Sequence, residues 1–90
     1  MGQLAYVQPM QRSTIRPSYA IDVSNTKTTH LIFPHEIRYA DLGSKEIAGE
    51  AVEKAGNVFR VKAMTSSPFL ETNLTVVTAD GRLFSFLVHY

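Results

Sequence analysis

The chain has no cysteine. That excludes a disulfide framework, thiolate zinc ligation and a cysteine nucleophile. It leaves the compartment open, because periplasmic proteins also manage without disulfides. A charge surplus is equally lacking: the formal net charge is +1. The nine Lys and Arg are scattered along the chain, as on a solvated surface and unlike a phosphate-tracking stripe. No apolar run approaches the length of a membrane span. The opening MGQLAYVQP has neither the basic start nor the apolar h-region of a secretory leader, and it reads as an expression leader or a mature N-terminus. Myristoylation needs Ser or Thr at position 6, where Tyr6 stands.

What is present suits one small folded domain. Hydrophobic residues make up 44% of 90, enough for a core, though a chain this short buries only about 60% of its unfolded surface. Residues 1–17 carry Pro9, Pro17 and three glutamines without a sustained period. They are expected to form a flexible or extended arm, with a β-sandwich domain over 18–90. SYAIDV places Tyr19, Ile21 and Val23 on one face of a strand, and SNTKT is a polar turn. His30 to Phe33 is β-rich until Pro34, which cannot continue a central ladder. Glu36 to Leu42 then alternates, with Ile37, Tyr39 and Asp41 expected on one face. A proline kink between two short strands predicts a crossing between sheets or a corner. NVFRVKAM sends Phe59, Val61 and Ala63 one way and Val58, Arg60 and Lys62 the other.

KEIAGEAVEKAG admits two readings. Ile47, Ala51, Val52 and Ala55 have helical spacing among good helix formers. Gly49 and the short length count against a helix. As a strand, the segment alternates through Ile47, Gly49 and Ala51 and turns over Glu53 to Gly56. With a strand here, about seven short strands separated by regular turn signals predict an all-β fold. The expected form is a small antiparallel β-sandwich, immunoglobulin-like in outline.

The chain ends in TNLTVVTADGRLFSFLVHY, two strands around Asp80-Gly81. A two-residue loop would pair Val77 with Phe84 and leave both faces apolar. A three-residue loop, Ala79 to Gly81, with Gly81 left-handed as a G1 bulge, shifts the register by one. It gathers Leu74, Val76, Phe84, Phe86, Val88 and Tyr90 on one face as core. The mixed set Thr75, Val77, Leu83, Ser85, Leu87 and His89 falls on the other. The second register separates aromatic from polar better, and it predicts φ > 0 at Gly81 and Val76 opposite Phe84. It also strands Val77, Leu83 and Leu87 on a face too apolar to stay wet. With Tyr39 they are the candidate partner contacts.

Reactive chemistry finds little support. His30, His35 and His89 match no zinc spacing, and no carboxylate is evidently placed with them. Asp41, Glu46, Glu50 and Glu53 sit in turns or near lysines, as solvated charges do. Ser66-Ser67 lacks a nucleophile elbow. Asn73-Leu74-Thr75 fits the glycosylation acceptor pattern but lies inside a predicted strand. Asp80-Gly81 lacks the alternating acidic loop of a calcium site, and no glycine-rich phosphate cradle is present. The expectation is a non-enzyme without catalytic residues, metal or cofactor.

The order of elements resembles the TraN proteins of Bacteroides-type conjugative transposons. The likeness spans Ser18 to Tyr90 and rests on TTHLIFP (28–34), DLGS (41–44), Asn57-Val58 with Val61-Lys62-Ala63, and ETNLTV (71–76). More distantly, the same order is similar to the N-terminal region of the TrbG/CagX group of type IV secretion subunits. The resemblance implies a β-sandwich in a periplasmic or outer-membrane-associated ring complex. Its role there would be structural: docking on other subunits of the transfer apparatus and on copies of itself. It implies no direct contact with nucleic acid, and membrane association only through the complex. Members carry a signal peptide and a further C-terminal region, so this chain is expected to be an N-terminal domain. For residues 46–51 the resemblance implies a strand. The competing expectation is a free-standing adhesion or glycan-binding sandwich, which would need exposed aromatics such as Tyr39 and Tyr6.

Overall fold

The computed structural model describes residues 19–90, all of them in strands, turns and loops. Seven strands follow in chain order: β1 (Tyr19–Asp22), β2 (Thr29–Ile32), β3 (Ile37–Leu42), β4 (Ile47–Val52), β5 (Ala55–Ala63), β6 (Thr72–Thr78) and β7 (Leu83–His89). They form two sheets, β1-β7-β6-β3 and β2-β5-β4. All pairs are antiparallel except β1 with β7, which is parallel. The grouping is the immunoglobulin arrangement: the second, fourth and fifth strands make one sheet, the third, sixth and seventh the other, and the first lies beside the last. The expected arm, residues 1–17, lies outside the described residues.

The core is where the alternations of the two sheets meet. β5 contributes Phe59, Val61 and Ala63, β6 Leu74 and Val76, and β7 Phe86 and Val88, all buried. Val23, Phe33 and Ile47 complete the buried set. Phe84 and Tyr90 pack on it while staying half-buried. Phe33 is the keystone at one end: its ring stands edge-on to Phe84 and Phe86, with centroids 5.1 and 5.9 Å away. It sits one residue before Pro34, where the chain leaves one sheet for the other. Asn57 secures that crossing, its carbonyl accepting from the Phe33 N–H at 2.8 Å and its amide donating to the Phe33 carbonyl at 3.1 Å. The crossing expected at the proline kink is therefore present.

The ambiguous segment is a strand. Ile47 is buried, and β4 pairs with β5 from Ile47–Ala63 to Val52–Ala55. Gly49, which argued against a helix, has a packing reason: a Cβ there would lie 2.6 Å from the Phe59 ring and 2.8 Å from the Arg60 carbonyl oxygen. The turn is shorter than the expected Glu53 to Gly56. Only Glu53 and Lys54 turn, and Ala55-Gly56 already belong to β5.

The hairpin takes the three-residue loop. Val76 lies opposite Phe84 and Val77 opposite Leu83. The Gly81 N–H donates to the Thr78 carbonyl at 2.9 Å, and the Thr78 N–H to the Arg82 carbonyl at 3.0 Å. Gly81 has φ of 86°, the left-handed value that the bulge requires.

One facing is corrected. Tyr39 does not share the side of Ile37. The register of β3 against β6 shifts between these residues, from Ile37–Thr78 to Tyr39–Val77. Arg38 is the extra residue of a bulge, and a one-residue slip exchanges the faces of everything beyond it. Ile37, Ala40 and Leu42 therefore pack on the core, while Tyr39 and Asp41 turn outward.

Candidate interaction surface

The outward slip of Tyr39 builds the most distinctive surface among the described residues. Leu74, Val76 and Thr78 are buried, so the intervening residues of β6 face away from the core. Tyr39 pairs with Val77 and Val77 with Leu83. The three make one row across β3, β6 and β7 on the outer face of the four-stranded sheet. Side chains directly opposite one another on a sheet touch, so the row is a continuous apolar strip. Tyr39 and Val77 are half-buried and Leu83 is 38% exposed. The next row is polar, Asp41–Thr75–Ser85. Beyond it lie Asn73, Leu87 and Ala20. Three of the four expected contact residues thus form one row. Leu87 shares their face two rows away.

The apolar row ends against a turn held by side-chain and backbone hydrogen bonds. The hydroxyl of buried Thr78 donates to Asp80 Oδ1 at 2.5 Å. Arg82 Nε lies 3.0 Å and His35 Nε2 3.6 Å from Asp80 Oδ2. The Ala79 N–H donates to the Glu36 carbonyl at 2.7 Å, tying the turn to the corner between β2 and β3. The Thr78 hydroxyl holds the Asp80 carboxyl below the usual carboxylate range, helped by His35 and partly opposed by desolvation. Asp80 is thus a clamp within the turn, and Gly81 supplies its backbone shape.

Two of the three histidines have carboxylate partners, contrary to expectation. His35 has Asp80, and His89 Nε2 lies 2.6 Å from Glu71 Oε2. Strand pairing and the hairpin turn bring these partners together across the chain, which spacing alone does not reveal. His30 is exposed on β2 beside Arg60. Among the described residues no group of three His, Asp or Glu gathers to hold a metal ion. Of the four acids considered for acid–base work, Glu50 forms an ion pair with Arg60 across β4 and β5. Asn73 of the glycosylation pattern is exposed on β6. Its side-chain oxygen crowds Gly43, where a Cβ would come within 1.8 Å.

The opposite outer face, on the three-stranded sheet, has another character. His30, Arg60 and Glu50 form its central row, with Lys62 beside Ala48 in the next. A shallow depression of about 420 Å³ runs along it between Gly49, Lys62 and Met64. Sequence reading missed several exposed apolar residues, among them Ile32 at 76%, Met64 at 62% and Leu70 at 91%. Alternation could have found Ile32: with Leu31 and Phe33 inward, the residue between them must point out.

No curated protein and no solved structure matches this chain. A family model does, over residues 21–90, which takes in every strand after the start of β1. The chain therefore belongs to the DUF8473 family, a domain of unknown function.

Proposed function

We propose that this domain is a structural component of a conjugative type IV secretion apparatus, acting by protein–protein assembly in the cell envelope and not as an enzyme. The likeness to TraN supplies the setting. The observation that carries the assembly role is the Tyr39–Val77–Leu83 row. A contiguous apolar strip on an outer sheet face, bordered by the polar row Asp41–Thr75–Ser85, has the make-up of a contact surface: an apolar centre and a polar rim. The partners would be other subunits of the apparatus and copies of the domain itself. Association with the periplasmic side of the outer membrane would come through the complex, and neither DNA nor a cofactor would be bound directly.

The test is co-purification of the tagged full-length protein with other transfer proteins from a donor cell envelope, alongside transfer frequency. The expected result is a stable complex and loss of transfer on deletion, with Leu83→Asp releasing the complex while the domain stays folded. A protein recovered alone, from a donor that still transfers DNA normally without it, overturns the proposal.

A further inference from the structure

Each sheet has two edge strands, and an uncovered edge is a template for pairing with another chain. Three of these edges are blunted. β1 and β2 are four residues each, and β3 carries the bulge at Arg38. The remaining edge strand, β4, keeps one register against β5 from Ile47 to Ala51, with its bulge only at the last residue. It contains neither proline nor lysine. Among the described residues no strand lies along its other side.

One bond fixes where the backbone groups of β4 point. The Met64 N–H donates to the Glu46 carbonyl at 2.7 Å, so even-numbered residues of β4 exchange bonds with β5 and odd-numbered residues aim away from it. Ile47 is buried. The accessible part of the edge is therefore Gly49, half-buried, and Ala51, exposed. Gly49 has no side chain to shield its N–H and C=O.

We propose that two copies of this chain join through β4, antiparallel about a two-fold axis at Gly49, so that their three-stranded sheets become one continuous sheet. Gly49 of each copy exchanges two bonds with Gly49 of the other, in an isologous contact. The same register sets Lys45 opposite Glu53 of the second copy, twice over by symmetry. Both residues are exposed, and neither has an ion-pair partner among the described residues. Ala48 falls opposite Glu50. Moving the axis one residue either way sets Glu50 against Glu50 or Glu46 against Glu50, and like charges directly opposite one another destabilise a sheet. A register that pairs odd with even residues leaves the edge bonds unmet. The charge pattern of residues 45–53 thus suits a second copy of itself, in one register. The ladder is short, so the association is weak. It lies on the other sheet from the Tyr39–Val77–Leu83 row and does not rest on the proposed place in a transfer apparatus.

The experiment is sedimentation equilibrium of the full 90-residue chain up to millimolar concentration. A monomer–dimer equilibrium is expected. Ala51→Pro should abolish it and leave the circular dichroism unchanged. The N–H that proline lacks is not part of the β4–β5 ladder, and its ring stands in the path of the second strand. Lys45→Glu should weaken the dimer by roughly tenfold, and adding Glu53→Lys to that chain should restore the original affinity. In a mixture of differently labelled copies, NMR should show contacts between the Ala48 Hα of one copy and the Glu50 Hα of the other. Leu83→Asp, on the other sheet, should leave the dimer intact. A chain that stays monomeric overturns the proposal. So does a dimer that survives Ala51→Pro, one that Lys45→Glu leaves unchanged, one that the paired charge swap fails to restore, or one that Leu83→Asp dissolves.

Discussion

The two sheets of this sandwich share one core and turn different faces outward. The three-stranded sheet shows a charged row, His30–Arg60–Glu50, with Lys62 beside it. The four-stranded sheet shows Tyr39–Val77–Leu83. Both faces obey the same period of two, and their inward residues are equally apolar. The difference is therefore not a requirement of folding. A solvent-facing sheet surface gains little stability from apolar side chains that stay half wet, whereas charges there keep the molecule soluble. The charged face is what folding alone would leave. The apolar face calls for a further explanation, and assembly is one.

Variants along this comparison should fall in a graded series. The largest effect belongs to the shared core. Phe86→Ala should cost roughly 3–5 kcal/mol, which in a domain of this size approaches the whole stability; urea denaturation by circular dichroism measures it. Gly49→Val comes next, at about 1–3 kcal/mol for overpacking against the Phe59 ring and the Arg60 carbonyl. Gly81→Ala should cost about 1–2 kcal/mol, because alanine resists the left-handed φ even though no atom stands near its Cβ.

The outer faces should respond least in stability, and there they should part company. Glu50→Gln breaks an exposed ion pair and should change stability by about 0.2–1 kcal/mol, without altering self-association or capture of partners. Leu83→Asp should be similarly mild in denaturation yet abolish capture of partners. If both leave capture intact, the distinction between the faces has no functional content.

The smallest effect is at the turn that ends the apolar row. Thr78→Val removes the hydroxyl that holds the Asp80 carboxyl down, so NMR titration should show Asp80 titrating at higher pH. Asp80 is lowered in the folded state. Its contribution is therefore present above the unfolded carboxylate pKa of about 3.9 and is lost as pH falls through the lower folded value. The contribution is slight at a solvent-exposed turn. Acid denaturation curves of the Thr78→Val chain should lose the part of their slope that lies in this acid range.

How much of this was legible beforehand varied with the kind of evidence each element needs. β5, β6 and β7 carry alternations of five or more residues, and their inward sets, from Phe59 to Val88, are those that the pattern predicts. The hairpin register was legible because Asp80-Gly81 permits only two geometries and one of them separates the faces. β3 was not. Six residues with a bulge at Arg38 contain no stretch long enough to reveal a change of phase, so Tyr39 was grouped with Ile37 and the apolar row went unseen as a row. Val77 and Leu83 were legible one by one, as outward apolar residues. Their adjacency was not, since it joins positions 39, 77 and 83 through two strand pairings. The carboxylate partners of His35 and His89 were hidden for the same reason.

By itself, then, the sequence determined the fold class, the hairpin and most of the core, because side-chain alternation and turn chemistry act over a few neighbouring residues. Tertiary structure alone decided the state of residues 47–52. Their helical propensity is worth tenths of a kcal/mol per residue and yields to the burial of Ile47 and to the seat that Gly49 makes for Phe59. It also decided the facing of Tyr39, because a bulge is settled by how a whole strand packs. Both outcomes depend on contacts between residues far apart in the chain, which local pattern does not contain.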